Sequence, residues 1–160
     1  MQFIPLSRGK FAMVDDEDFD WLCGHKWCVR KSKCKEYASR SHHTKSCSYV
    51  VRMHRKILGV YDANLQVDHI NGDGLDNRKA NLRICTNAQN AWNARKTRNN
   101  AVSQFKGVAL NRKTGKWVAS IGLHWQRICL GTYLYEKDAA VAYNEAAKRY
   151  FGEFAKLNPV

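Results

Sequence analysis

Long apolar runs are what this sequence most clearly lacks. No stretch of about 18 or more apolar residues occurs, so no segment is suited to crossing a bilayer as a helix. The N-terminal MQFIPLSRGKF has no apolar core of the kind a secretion signal needs, which makes the cytoplasm the expected compartment. Carboxylates are also scarce: 14 Asp and Glu stand against 27 Lys and Arg, for a net charge of +13. The cations are spread along the chain, with denser stretches at VRKSKCK, RMHRK and ARKTR. That spread suits a long polyanion better than one anionic pocket, and nucleic acid is the first candidate partner. A merely solubilising basic surface is the other reading. CxxC pairs are missing as well. Cys23, Cys28, Cys34 and Cys47, with His42 or His43, leave a zinc site open, but their spacing is unlike the common zinc modules. A cytoplasmic chain argues against disulfides. Most of the six thiols therefore read as buried small side chains, and structural zinc is not expected.

With 160 residues the chain has room for one or two small domains, and its patterns predict an α+β protein in two parts. In KFAMVDDEDFDWL a strand runs into a helix whose first turn carries Asp15, Asp16 and Glu17, where the helix dipole favours negative charge. KWCVRK, EYASRS and SYVVRMH read as a small strand meander, with Arg30, Arg40, Arg52 and Arg55 placed to follow phosphates. Residues 95–104, RKTRNNAVSQ, are polar and unpatterned and read as a basic linker between a unit at 1–94 and a unit at 105–160. FKGVAL, KWVASIGL and QRICLGTY predict a three-stranded antiparallel sheet. The helix that follows should pack Ala139, Ala142, Tyr143, Ala146 and Tyr150 against Trp117, Ala119 and Ile121, and stop at Gly152.

VDHINGDGLDNRKANLRICTNAQN carries the densest chemistry. If LQVDHI is a strand, neighbouring side chains point to opposite faces, so Asp68 and His69 can flank one phosphate only where the strand ends. NGDG supplies that end, with Gly72 and Gly74 permitting positive φ. Thr86 and Gln89 form a T-x-x-Q capping box, so a helix should begin there and bring Asn90 into its first turn. Asp68, His69, Asn81 and Asn90 would then gather around one point. The plainer reading keeps Asp68 and His69 in a satisfied turn and the asparagines at the surface. His54 reads better as a structural histidine than as a phosphate contact, and Asn77, Asn87 and Asn93 read as turn, cap and surface residues.

MHRKILGV…VDHINGDGLDNRKANLRICTNAQN resembles an HNH homing endonuclease of the phage type, whose active site is a ββα-metal fold. The resemblance implies Asp68 as metal ligand, His69 as general base, Asn81 as loop fastener and orienter of the base, and Asn90 as second metal ligand. It also implies a bacterial or phage-infected host cell. The copy reads His-Asn-Asn, and a carboxylate with an amide oxygen suits Mg2+ or Mn2+ rather than zinc.

FKGVALNRKTGKWVASIGL…RICLGTY…EKDAAVAYNEAAKRYFGEFAKLN resembles the plant APETALA-two/ethylene-response-factor DNA-binding domain, from about Phe105 to Asn158. That family sets a three-stranded sheet, braced by one helix, into the major groove. The resemblance makes Lys106, Arg112, Lys113, Lys116 and Arg127 candidate contacts, with Trp125 either a contact or a hairpin packing residue. The equivalent plant face is richer in Arg, which shifts the expectation from base reading toward phosphate positioning. Arg52, Arg55, Arg95, Lys96 and Arg98 complete the expected backbone contacts. The combined expectation is a metal-dependent endonuclease that acts as a monomer on double-stranded DNA and nicks one strand per site. The rival is a DNA-binding regulator on an inactive nuclease scaffold.

Overall fold

A computed structural model of the chain describes residues 1–32, 35–44, 46–96, 102–123 and 126–160; Cys34, Arg98 and Trp125 lie outside the described residues. The chain divides into two compact units, Met1–Asn90 and Ala91–Val160.

The first unit opens with an antiparallel hairpin, β1 (Gln2–Pro5) and β2 (Phe11–Val14), which turns Ile4, Ala12 and Val14 inward. Helix α1 (Asp16–Cys23) follows, with Asp16, Glu17 and Asp18 in its first turn, where the exposed N–H groups and the dipole favour carboxylates. Asp15 occupies the N-cap position, but its side chain reaches elsewhere: Oδ2 accepts the backbone N–H of Lys79 at 2.7 Å. Strands β3 (Cys28–Ser32), β4 (Lys35–His43) and β5 (Ser48–Arg52) form the expected meander. One face of it buries Val29 and Ala38 in a core with Leu22, Trp27 and Met53. Helix α2 (Met53–Ile57) then leads to β6 (Gln66–His69), which pairs with β7 (Leu82–Cys85), and to α3 (Asn87–Asn93). The capping box is closed in both directions: Thr86 N–H donates to Gln89 Oε1 at 2.8 Å, and Gln89 N–H to Thr86 Oγ1 at 3.3 Å.

The second unit is a sheet ordered β8 (Val108–Asn111), β9 (Lys116–Leu123), β10 (Gln126–Tyr133), covered by α4 (Glu136–Phe151). Ala119, Ala139 and Ala140 are fully buried, and these short side chains let helix and sheet approach closely. The buried stripe of α4 runs through Ala139, Ala140, Tyr143, Ala147 and Phe151, so the expected face is turned: Tyr150 is exposed. Phe151 supplies the apolar ring instead and stacks on Trp92 with centroids 4.6 Å apart, while the Tyr150 hydroxyl stays in water. Gly107, at φ +76°, admits no side chain, because a Cβ there would lie 2.0 Å from the Tyr143 ring.

The described cysteines correct another expectation. Only Cys85 is buried; Cys23, Cys28, Cys47 and Cys129 are exposed. Cys28 and Cys129 stand at outward-facing positions of their strands, and Cys23 closes a solvent-facing helix end. No described helix is long and apolar enough to cross a membrane.

Candidate functional site

Strand β6 stops at His69, and the chain turns at once: Gly72 N–H donates to His69 O at 2.8 Å, with Gly72 at φ +80°. Gly74 is needed for a different reason from the one expected. A Cβ there would lie 2.2 Å from the carbonyl oxygen of Glu36 and 2.7 Å from the Tyr37 ring, so the loop rests directly on β4. Asn81 holds the loop shut. Its Nδ2 donates to Asp76 O at 2.8 Å and to Asn71 Oδ1 at 3.1 Å, and its Oδ1 accepts Asn71 N–H at 3.0 Å. Asp76, inside the same loop, is bound by Arg78 through two hydrogen bonds of 2.8 and 2.7 Å, which hold its carboxyl below the usual carboxylate range.

Asp68 and His69 are both buried. Antiparallel register sets Asp68 opposite Arg83, whose Nε and Nη2 donate to Asp68 Oδ2 at 3.1 and 2.8 Å. Asn77 lies within hydrogen-bonding distance of the His69 ring. Asn77 Nδ2 donates to Leu75 O at 3.1 Å, which turns Oδ1 toward His69 Nε2 at 3.3 Å. An amide oxygen only accepts, so Nε2 carries the proton and Nδ1 carries the basic lone pair. Burial lowers the pKa of His69, with the nearby Lys35 charge acting the same way against the Asn77 hydrogen bond and two carboxylates. The ring is therefore neutral at pH 7.

Two further rings complete the wall. His54, on α2, meets His69 edge-on with centroids 5.0 Å apart, and Tyr37 lies 5.6 Å from His54 and 5.9 Å from His69. His54 is pushed down to about 3, chiefly by burial and then by His69, and its Nδ1 has no hydrogen-bond partner among the described residues. Asn90 lies half-buried in the first turn of α3, its N–H bonded to Thr86 O at 3.0 Å. Asn77 and Asn93, expected in a turn and at the surface, are buried instead.

The expected nucleic-acid contacts divide by what their charges already touch. Arg55 donates to Leu65 O and Asp62 O at 2.7 and 2.8 Å. Lys96 Nζ donates to Phe105 O and Val108 O at 2.7 and 3.0 Å. Lys106 Nζ lies 2.6 Å from Trp92 O and 2.8 Å from Ala94 O; burial lowers it to about 8, which leaves it protonated at pH 7. These three cations hold their own units together. Arg52, Arg95, Arg112, Lys113, Lys116 and Arg127 are exposed. Arg127 faces Gly122 across the β9–β10 ladder and donates to Ser120 Oγ at 2.9 Å, over the face opposite α4.

Sequence reasoning missed Asn77, Arg83 and Tyr37. A register count from the turn would have paired Asp68 with Arg83; nothing local marks the other two. The chemistry available is a neutral, oriented imidazole beside a buried carboxylate. Among the described residues no group of three or more His, Cys, Asp or Glu is placed to hold a metal. The Asp68 carboxylate offers hard oxygen donors, which would suit an ion that keeps several waters.

Residues 52–92 match the family model for HNH endonuclease. An uncharacterized HNH endonuclease of Acanthamoeba polyphaga mimivirus is 30% identical over 99% of this chain and 81% of its own length. The C-terminal part is similar to plant proteins. Dehydration-responsive element-binding protein 2C of Arabidopsis thaliana is 43% identical over 37% of this chain and 18% of its own length. An AP2-like ethylene-responsive transcription factor of Arabidopsis thaliana is 41% identical over 36% of this chain and 17% of its own length.

Proposed function

The chain belongs to the HNH endonuclease family, and on that premise we propose that it is a metal-dependent DNA endonuclease hydrolysing phosphodiester bonds at a targeted site. The observation that carries this reading is the buried Asp68–His69 pair at the end of β6, with the His69 proton directed to Nε2 by Asn77. His69 Nδ1 takes a proton from water, whose oxygen attacks phosphorus as the bond to the 3′ oxygen breaks; the departing oxygen takes up a proton from solvent, leaving a 3′ hydroxyl and a 5′ phosphate. Asp68 and Asn90 would hold Mg2+ or Mn2+, which when bound supplies positive charge to a phosphate oxygen and the departing oxygen. Arg83 fixes the orientation of the Asp68 carboxylate, and Asn81 keeps the loop closed around the pair.

The C-terminal module supplies the address. Its likeness to plant element-binding proteins supports double-stranded DNA as partner, contacted through Arg112, Lys113, Lys116 and Arg127. One site per chain implies that a monomer nicks one strand, and restriction to one locus is the behaviour of a homing endonuclease.

The test is cleavage of plasmid and of the DNA flanking the gene, with Mg2+, by wild type and His69→Ala. Loss of a general base should slow cleavage by about 10²–10⁴-fold with DNA binding retained. If both proteins bind alike and neither cuts any DNA offered, the chain is a DNA-binding regulator on an inactive scaffold.

A further inference from the structure

The β3–β4–β5 sheet has one face in the core, and register and alternation settle which residues occupy the other. Tyr37 pairs with Arg30 on β3, and Ser39 pairs with Arg52 on β5, so all four share a face. Lys35, two residues before Tyr37, joins them. The opposite face carries Val29 and Ala38 into the core, along with Arg40, whose guanidinium lies over Trp27 at 5.7 Å.

We propose that this outward face, with Arg30, Lys35 and Arg52 around Tyr37, is a lane that carries the DNA backbone to His69.

Three observations support it. The face is continuous with the candidate site, because the Tyr37 ring packs against His69 and His54, and the Gly74 loop sits on the Glu36–Tyr37 backbone. It holds no carboxylate among the described residues: Glu36 alternates to the other side and pairs with Lys10. And none of the three cations is in an ion pair among the described residues, whereas Asp76 and Asp68 of the nearby loop and strand are paired with Arg78 and Arg83. Among the described residues Arg30 makes one long side-chain hydrogen bond, of 3.4 Å, to Ser41 on the same face. Lys35 is near enough for its charge to act on His69, and Arg52 for its charge to act on Tyr37 and His54. A duplex backbone, with phosphates at regular intervals, matches an uncompensated row of cations ending at the reacting centre. As a lane to the nuclease centre, the proposal rests on the nuclease reading above, but its test does not require cleavage.

Binding of the full chain to a random-sequence duplex is measured in EDTA as salt is varied, so that no cutting occurs. Replacing Arg30, Lys35 and Arg52 together with Gln should reduce the slope of log K against log salt by about 2.7, roughly 0.9 for each phosphate no longer neutralised. The matched control replaces Arg8, Lys31 and Lys56, exposed cations of the same unit: Lys31 alternates to the other side of β3, and Arg8 and Lys56 lie outside the three strands. A slope unchanged in the triple variant, or reduced equally in the control, overturns the lane. A reduced slope confined to the triple variant supports the surface even if wild type proves unable to cut, whereas a cutting wild type with an unchanged slope removes the lane and leaves the nuclease.

Discussion

Asp68 and Arg83 face each other across the β6–β7 ladder, and the guanidinium Nε and Nη2 both donate to the carboxylate oxygen Oδ2. Their side chains are only 1% and 11% exposed, so this is a buried pair of opposite charges. Arg83→Met removes this partner from a buried carboxylate and should cost about 3–5 kcal/mol in urea unfolding without metal. The double variant Asp68→Asn/Arg83→Met removes both charges and should recover part of that stability. A single-variant cost below about 1 kcal/mol would mean that the pair does not hold the site.

Gly74→Ala should destabilise by about 1–3 kcal/mol, since its Cβ has to displace a backbone carbonyl and a packed ring. Gly24 offers the comparison: its Cβ would meet nothing within 4 Å, and its φ is −64°. Gly24→Ala should stay within about 0.5 kcal/mol. Thermal or urea unfolding of the two variants separates close approach from a general glycine effect.

Asn158 ties the C-terminus into the second unit. Lys106 N–H donates to its Oδ1 at 2.7 Å, its Nδ2 donates to Lys106 O at 3.0 Å, and its backbone bonds both ways with the Asn144 amide. Asn158→Leu removes the partner of a part-buried N–H and carbonyl of Lys106 and should cost about 1–3 kcal/mol. Hydrogen exchange at the Lys106 amide should rise in step; protection equal to wild type would show that the amide network is dispensable.

Stability should fall in acid through His54. Its pKa is about 3 in the folded chain against an ordinary 6.5, so below pH 6.5 the unfolded chain binds a proton that the folded chain refuses. The folded state's advantage is complete above pH 6.5 and declines as pH falls toward 3, with a limiting slope of about 1.4 kcal/mol per pH unit. His69 is shifted in the same direction and adds to the decline. Urea midpoints in EDTA between pH 7.5 and 4.5 should fall less steeply in His54→Leu than in wild type. Parallel slopes would place the acid sensitivity elsewhere.

Much of the architecture was legible along the chain because its signals are local. The strand that stops at His69, the turn after it and the reciprocal Thr86–Gln89 cap are fixed within a few residues of each other. The three strands and helix of the second unit are marked by period and length alone, and their register needs no distant partner to be guessed. The face of α4 was misplaced by one position because a tyrosine and a phenylalanine next to each other satisfy the same spacing. The tertiary cluster that receives it, with Ile121 of the sheet and Trp92, turns Phe151 inward.

What the sequence by itself determined is therefore the order of elements and the strand end at which Asp68 and His69 stand. Tertiary structure decided which partners those residues have. Asn77 rather than Asn81 meets the His69 ring, since the closed loop turns the Asn77 side chain inward. Tyr37 and His54 form the wall because β4 and α2 fold back onto the loop, a contact that Gly74 permits by lacking a Cβ. Lys96 and Lys106 look in sequence like any other lysines of a basic chain. Only the fold shows their charges held by backbone carbonyls, while Lys35 and Arg52 are in no ion pair among the described residues. Charge is written in composition, but its availability depends on which neighbours arrive in space.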